Sequence, residues 1–177
     1  MSQIVIVSGP PGAGKSSVCD ALCERYDRTV HLETDDVFGW IRMGFVLPWK
    51  AGSQRQNETV SRACARAAAA FAAQQYGVFI DGVVQAWALP VYLDELAVAR
   101  VPVHYVVLLP GVEAMQRRAA GREKQLGPVG DMYERMHATF AAEAGGRGVT
   151  IDSSAMTALE TADAVMAACG RGDGLVG

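Results

Sequence analysis

The chain has 177 residues, half of them apolar, and a formal net charge of −3. That is the size of one domain with a sizeable core, and the charge argues against a protein built mainly for nucleic acid, which carries a basic surplus. No apolar run approaches the length of a membrane span, and Met1–Val7 lacks the basic region of a secretory signal. The four cysteines, Cys19, Cys23, Cys64 and Cys169, form no disulfide framework, so a reducing cytoplasm is expected. Cys19 and Cys23 lie one helical turn apart and read as small helix residues, with a shared metal as the alternative.

Residues 3–8, QIVIVS, read as a strand buried on both faces, because the β-branched run shows no alternation. Residues 15–26 read as a helix with Val18, Leu22 and Tyr26 on one side. TVHLE (29–33) is a second strand, VFIDGVV (78–84) a third, VPVHYVVLL (101–109) a fourth and VTIDS (149–153) a fifth. The Ala-rich stretch 58–76 is a strong helix former, with Gly77 as its stop. Further helices are expected near 89–99, 112–120, 131–144 and 157–169, the last opened by a capping box of Thr157 and Glu160. The tail GRGDGLVG is expected to fray.

Alternating strands and helices imply a single α/β domain over residues 1–177, with a parallel sheet covered on both faces. Ligands then sit beyond the carboxyl ends of the strands, against the loops expected at 8–15, 34–57, 81–87, from 110 onward and 153–156.

The first of these stretches carries G-x-x-x-x-G-K-[ST] as Gly9, Gly14, Lys15 and Ser16, between a strand and a helix as the motif requires. In the loop Gly9, Pro10, Pro11, Gly12, Ala13 and Gly14, the glycines let the successive N–H groups from Gly12 onward turn inward as an anion nest. The helix start adds free donors and a positive dipole end. Lys15 is expected along the β- and γ-phosphates, the Ser16 hydroxyl on Mg²⁺ and the Ser17 hydroxyl near the α-phosphate. The stretch therefore binds a nucleoside triphosphate, with ATP or GTP left open.

Asp35 and Asp36 follow the second strand. A carboxylate there can take a proton from an attacking hydroxyl; Asp36 could instead cap the stretch after it. Asp81 ends the third strand after three apolar residues and could hold Mg²⁺, or could simply end the strand in a turn. Arg118 and Arg122 share a helical face and precede a stretch with two glycines and a proline. They read as the stem of a lid over about 117–131 that closes charge on the triphosphate, or as a solvated basic helix end.

Together these pieces resemble the small P-loop kinases: adenylate, shikimate and gluconate kinases and chloramphenicol phosphotransferase. The resemblance runs through the cradle, the acidic strand end, FIDG, the lid and VTIDSS. It implies a three-layer fold with a five-stranded parallel sheet in the order 2-3-1-4-5. It also implies that Asp35 is the base, with Asp36 a weaker candidate. RAAGR resembles the R-x-x-G-R of adenylate kinase lids, which implies that Arg118 packs on adenine and Arg122 meets phosphates. TDDVFGWIR resembles the D-D-x-x-R region of polynucleotide 5′-hydroxyl kinases, except that Arg42 falls six residues after Asp36 rather than three.

In such kinases the stretch 36–57 caps the acceptor. Here it holds Phe38, Trp40, Arg42, Met43, Phe45, Trp49 and Arg55, and Trp87 follows the third strand. These aromatics could line a partly apolar acceptor pocket, with Asp36, Trp40, Arg42, Arg55 and Trp87 on the substrate, or could be core under a helical cap. His31, His104 and His137 read as structural. The leading expectation is an ATP- and Mg²⁺-dependent kinase acting on a hydroxyl of a small molecule, with neither nucleic acid nor membrane as partner. The alternatives are a polynucleotide 5′-hydroxyl kinase and a nucleotide-binding module that hydrolyses slowly.

Overall fold

The computed structural model describes residues 2–120 and 131–177. The chain runs β1 (Ile4–Ser8), α1 (Lys15–Cys23), β2 (Thr29–Glu33), α2 (Thr34–Gly39), α3 (Gln54–Ala72), β3 (Gly77–Asp81), α4 (Leu89–Leu96), β4 (Val103–Leu108), α5 (Val112–Ala120), α6 (Met132–Glu143), β5 (Val149–Ile151) and α7 (Ala158–Arg171). The five strands form one sheet in the order β2-β3-β1-β4-β5, and every neighbouring pair is parallel. This is the three-layer α/β fold that the resemblance implies.

Strand alternation sorts β1 between two cores. Ile4 and Ile6 join Cys64, Ala65, Ala68 and Tyr92 on the α3 and α4 side. Val5 and Val7 join Val18, Leu22, Ala162 and Val165 on the α1 and α7 side. β1, β3 and β4 are buried at every position, which explains their unbroken apolar runs. The alanines of α3 serve packing as well as propensity, since Ala65, Ala68, Ala69 and Ala72 are all buried.

Two local expectations need correction. The stretch after β2 forms the short helix α2 instead of a loop. The tail does not fray. β5 pairs only with Val106–Leu108 of β4, which leaves the start of β4 with unmet donors. The tail fills that gap: the Val103 amide donates to Gly177 O and the Tyr105 amide to Gly174 O, both at 2.8 Å, while the Val176 amide donates to Val103 O at 2.9 Å. Among the described residues no helix is long and apolar enough to cross a membrane.

Candidate active site

The turn between β1 and α1 runs through three glycines with positive φ: Gly9 at 142°, Gly12 at 79° and Gly14 at 90°. A side chain at two of them would also strike backbone. A Cβ on Gly12 would lie 2.8 Å from the Met115 carbonyl oxygen, and one on Gly9 would run into that of Leu108. The cradle can therefore pass close to the end of β4 and to α5 only as bare backbone. Gly14 is the N-cap of α1, with no side-chain cap, so the helix's first amides are left for a ligand. The Lys15 ammonium folds back to donate to Pro10 O at 3.3 Å. Gly9, Pro10, Gly12 and Ala13 are buried, Pro11, Gly14, Lys15 and Ser16 half-buried, and Ser17 exposed.

β2 and β3 bring the acidic residues to the same end. Glu33 stands opposite Asp81 in the ladder, and Asp35 and Asp36 occupy the first turn of α2 directly after it. Asp81 is only 5 % exposed. Burial pushes its carboxyl up, but the His31 imidazole, the Lys15 charge and the Ser16 hydroxyl outweigh this and hold it below the usual carboxylate range. Lys15, Ser16 and Asp81 thus lie together beside the cradle. An ionised, buried carboxylate beside a hydroxyl and the cradle is a hard-oxygen set that suits Mg²⁺, which completes its shell with phosphate oxygens and water. Among the described residues no cluster of three His, Cys, Asp or Glu side chains could hold a metal, and burial pushes the Cys19 thiol well above its usual value.

His31 has a larger place than its sequence context indicated. Its Nδ1 lies 2.9 Å from Asp20 Oδ1 and its Nε2 3.6 Å from Asp81 Oδ2. The second distance is too long for a hydrogen bond, so that attraction is one of charge. Burial lowers the imidazole's basicity, yet the two carboxylates more than reverse this and raise its pKa above the ordinary value. Glu33 is pushed up by burial and by Asp81, Asp36 and Asp20, with His31 opposing. Gly82, just after Asp81, leaves room for Thr34: a Cβ there would strike the Thr34 side chain. The turn that carries Asp35 is thereby packed against the end of β3.

Arg118 closes the far side of the cradle. Its guanidinium donates to Ala13 O at 3.1 Å, Ser153 O at 2.7 Å, Ser153 Oγ at 3.4 Å and Met156 O at 3.2 Å. It thus clamps the cradle to the loop after β5, and Gly14 lies within 3.7 Å of Nη1 for any added Cβ. Arg122 lies outside the described residues, as does most of the lid. Of the aromatics after β2 and β3, Trp40 is 68 %, Trp49 54 % and Trp87 42 % exposed, so these rings are not core under a cap. Phe38 packs against the core and meets Phe45 edge-on at 6.4 Å. Arg42 and Arg55 are exposed, Arg55 in the first turn of α3. The roles of His31, Thr34 and Ser153 went unread because they depend on strand register and loop packing.

A family model described as an AAA domain matches residues 4–157. Among solved structures, the chain is similar to a sugar kinase from Janibacter sp. HTCC2649 (16 % identical, 94 % of each chain covered, TM-score 0.72). It is also similar to the Deinococcus radiodurans tunicamycin resistance protein (18 % identical, 100 % of this chain and 99 % of that one, TM-score 0.67). A third is the Mycobacterium tuberculosis APS kinase, solved with AMPPNP and APS (17 % identical, 96 % and 98 % covered, TM-score 0.65). A curated relative, the uridylate kinase of Schizosaccharomyces pombe, is 44 % identical over 36 residues, and the match spans 20 % of this chain and only 19 % of that protein. The solved structures share its fold, and the match over residues 4–157 makes this chain a member of the AAA domain family with the P-loop kinase fold.

Proposed function

We propose that this protein transfers the γ-phosphoryl group of ATP to a hydroxyl of a small molecule. The observation that carries this reading is the meeting of Lys15, Ser16 and the ionised Asp81 beside an anion cradle turned by three glycines, with Asp35 in the turn that follows the neighbouring strand. A nucleotide-binding switch needs the first half of that arrangement only.

The cradle amides from Gly12 to Ser17 and the Lys15 ammonium hold the triphosphate and offset its charge. Ser16 and Asp81 would hold Mg²⁺, which would supply positive charge to neutralise the triphosphate. Asp35 takes the acceptor's hydroxyl proton as that oxygen bonds to the γ-phosphorus. The bond to the β-bridging oxygen breaks, and its electron pair leaves with ADP. Arg118 sets the cradle against the loop after β5, and Arg122 adds charge from the lid. Asp36, Trp40, Arg42, Arg55 and Trp87 meet the acceptor. The exposed indoles support an alcohol with an apolar or flat body, since such faces in water gain from covering one.

ADP release scored across hydroxylated metabolites and antibiotics tests this reading, with a 5′-hydroxyl oligonucleotide included. A small alcohol is expected to stimulate release. Asp35→Asn should cut transfer by about 10²- to 10⁴-fold, the contribution of a general base, and leave calorimetric binding of Mg²⁺·AMPPNP intact. Stimulation by the oligonucleotide alone would make the protein a polynucleotide kinase. Binding with no acceptor-dependent release from any compound would leave a nucleotide-binding module.

A further inference from the structure

The backbone ladder between β1 and β3 stops at Val7 and Asp81. The chains beyond it stay joined by side chains. The Ser8 hydroxyl donates to the Val84 carbonyl at 2.7 Å and accepts from the Val84 amide at 3.0 Å. Tyr105, paired with Ile6 in β4, donates its hydroxyl to the same Val84 carbonyl at 2.6 Å. Ser8 is 0 %, Val84 2 % and Tyr105 4 % exposed. Burial pushes the Tyr105 hydroxyl up to about 12, so it remains a donor at any working pH.

β1 is otherwise Ile-Val-Ile-Val. The hydroxyls at positions 8 and 105 answer a need beyond the strands, because the buried Val84 amide and carbonyl take their partners from them. Both hydroxyls converge on one peptide outside the sheet. That peptide is the middle of the loop between Asp81 and Leu89, which also carries Trp87. The Trp87 Nε1 donates to Gln85 Oε1 at 3.0 Å, and the Ala86 amide to Glu143 Oε2 at 3.1 Å, so the rest of the loop is held as well. At the other end of the lock, Ser8 is bonded covalently to Gly9, the first glycine of the cradle.

We propose that Ser8 and Tyr105 are positioning residues that register the loop 82–88, with Trp87, to the phosphate cradle, so that filling the cradle steadies the acceptor side. This rests on the nucleotide-binding part of the function proposed above. A rigid hydroxyl link transmits the settling of the Gly9 backbone around phosphate to a loop with no phosphate contact of its own, and the acceptor's wall is set once the nucleotide is in place.

Amide hydrogen exchange of 82–88, measured with and without Mg²⁺·AMPPNP, tests the link in the wild type, Tyr105→Phe and Ser8→Ala. Tyr105→Phe keeps the ring's packing and removes only the donor. In the wild type, nucleotide should slow exchange in the loop. In each variant that slowing should fall by roughly fivefold, the equivalent of one neutral hydrogen bond, with calorimetric affinity for Mg²⁺·AMPPNP unchanged. Equal slowing in the wild type and both variants overturns the proposal. So does faster exchange spread through β1, β3 and β4, which would make the hydroxyls merely structural. Heat of binding without any loop protection in the wild type overturns the link alone, whereas no heat at all overturns the nucleotide reading and the link with it.

Discussion

Gly82 shows how one missing side chain sets the geometry at the end of the neighbouring strand. A Cβ there would collide with Thr34, and Thr34 opens the helix that carries Asp35. Gly82→Ala must therefore push the first turn of α2 outward and leave the cradle alone. A misplacement of about 1 Å at a reacting group can cost 10²-fold, so turnover should fall by up to about that factor. Calorimetric affinity for Mg²⁺·AMPPNP should hold, and an equal fall in both would show that Gly82 supports the nucleotide instead. Arg118 makes the opposite point, that charge alone is not enough. Its planar fork reaches Ser153 O and Met156 O while also serving Ala13 O, a geometry one ammonium cannot copy. Arg118→Lys should cost about 1–2 kcal/mol in chemical denaturation and weaken nucleotide binding as well. If lysine restores both, the residue acts through its charge only.

Helix α7 is the best specified of the elements. Its Thr157 side chain accepts from the Glu160 amide at 3.2 Å, and the Glu160 carboxylate accepts from the Thr157 amide at 2.7 Å, the capping box that the sequence announces. Thr157→Ala should cost about 1 kcal/mol, seen as a lower midpoint in urea. Because α7 packs with α1 behind the cradle, a loss within error would mean the helix is fixed by packing alone. The strands were equally legible, since a strand buried on both faces leaves a continuous apolar run. So was the cradle, whose residues are neighbours in the chain. The short helix α2 was not, because its N-cap Glu33 makes no side-chain cap and its six residues are too few for a period. Nor was the tail's docking, which answers a gap left by the brevity of β5. The pairing of His31 with Asp81, of Thr34 with Gly82 and of Ser8 with Val84 each depends on strand register, which no single stretch of sequence reveals. The aromatics of 40–49 could be read as wall or core, and the exposure of Trp40, Phe45 and Trp49 removes only the second reading.

For the whole molecule, the opposed environments of two histidines govern how stability varies near neutrality. His31, between Asp20 and Asp81, has a folded pKa above its ordinary value of 6.5. Its contribution is fully present below about 6.5 and is lost as pH rises through the folded pKa. His104 is 4 % exposed, and its Nδ1 has no hydrogen-bond partner. Burial lowers its pKa below 6.5, so the unfolded chain binds a proton that the folded chain refuses. Stability is therefore lost as pH falls from about 6.5 toward the folded pKa. In metal-free buffer the wild type should gain stability from pH 8 toward 6.5 and lose it below. His31→Gln should remove the gain and keep the loss. His104→Leu, which replaces an orphaned buried nitrogen with apolar bulk, should keep the gain and turn the loss into a plateau. That plateau should last until pH approaches the ordinary carboxylate range, below which the contribution of Asp81, whose folded pKa is depressed, is lost progressively as pH falls toward that pKa. Thermal midpoints of the three proteins from pH 5 to 8 check the crossing: parallel curves would mean that neither imidazole titrates differently in the folded chain.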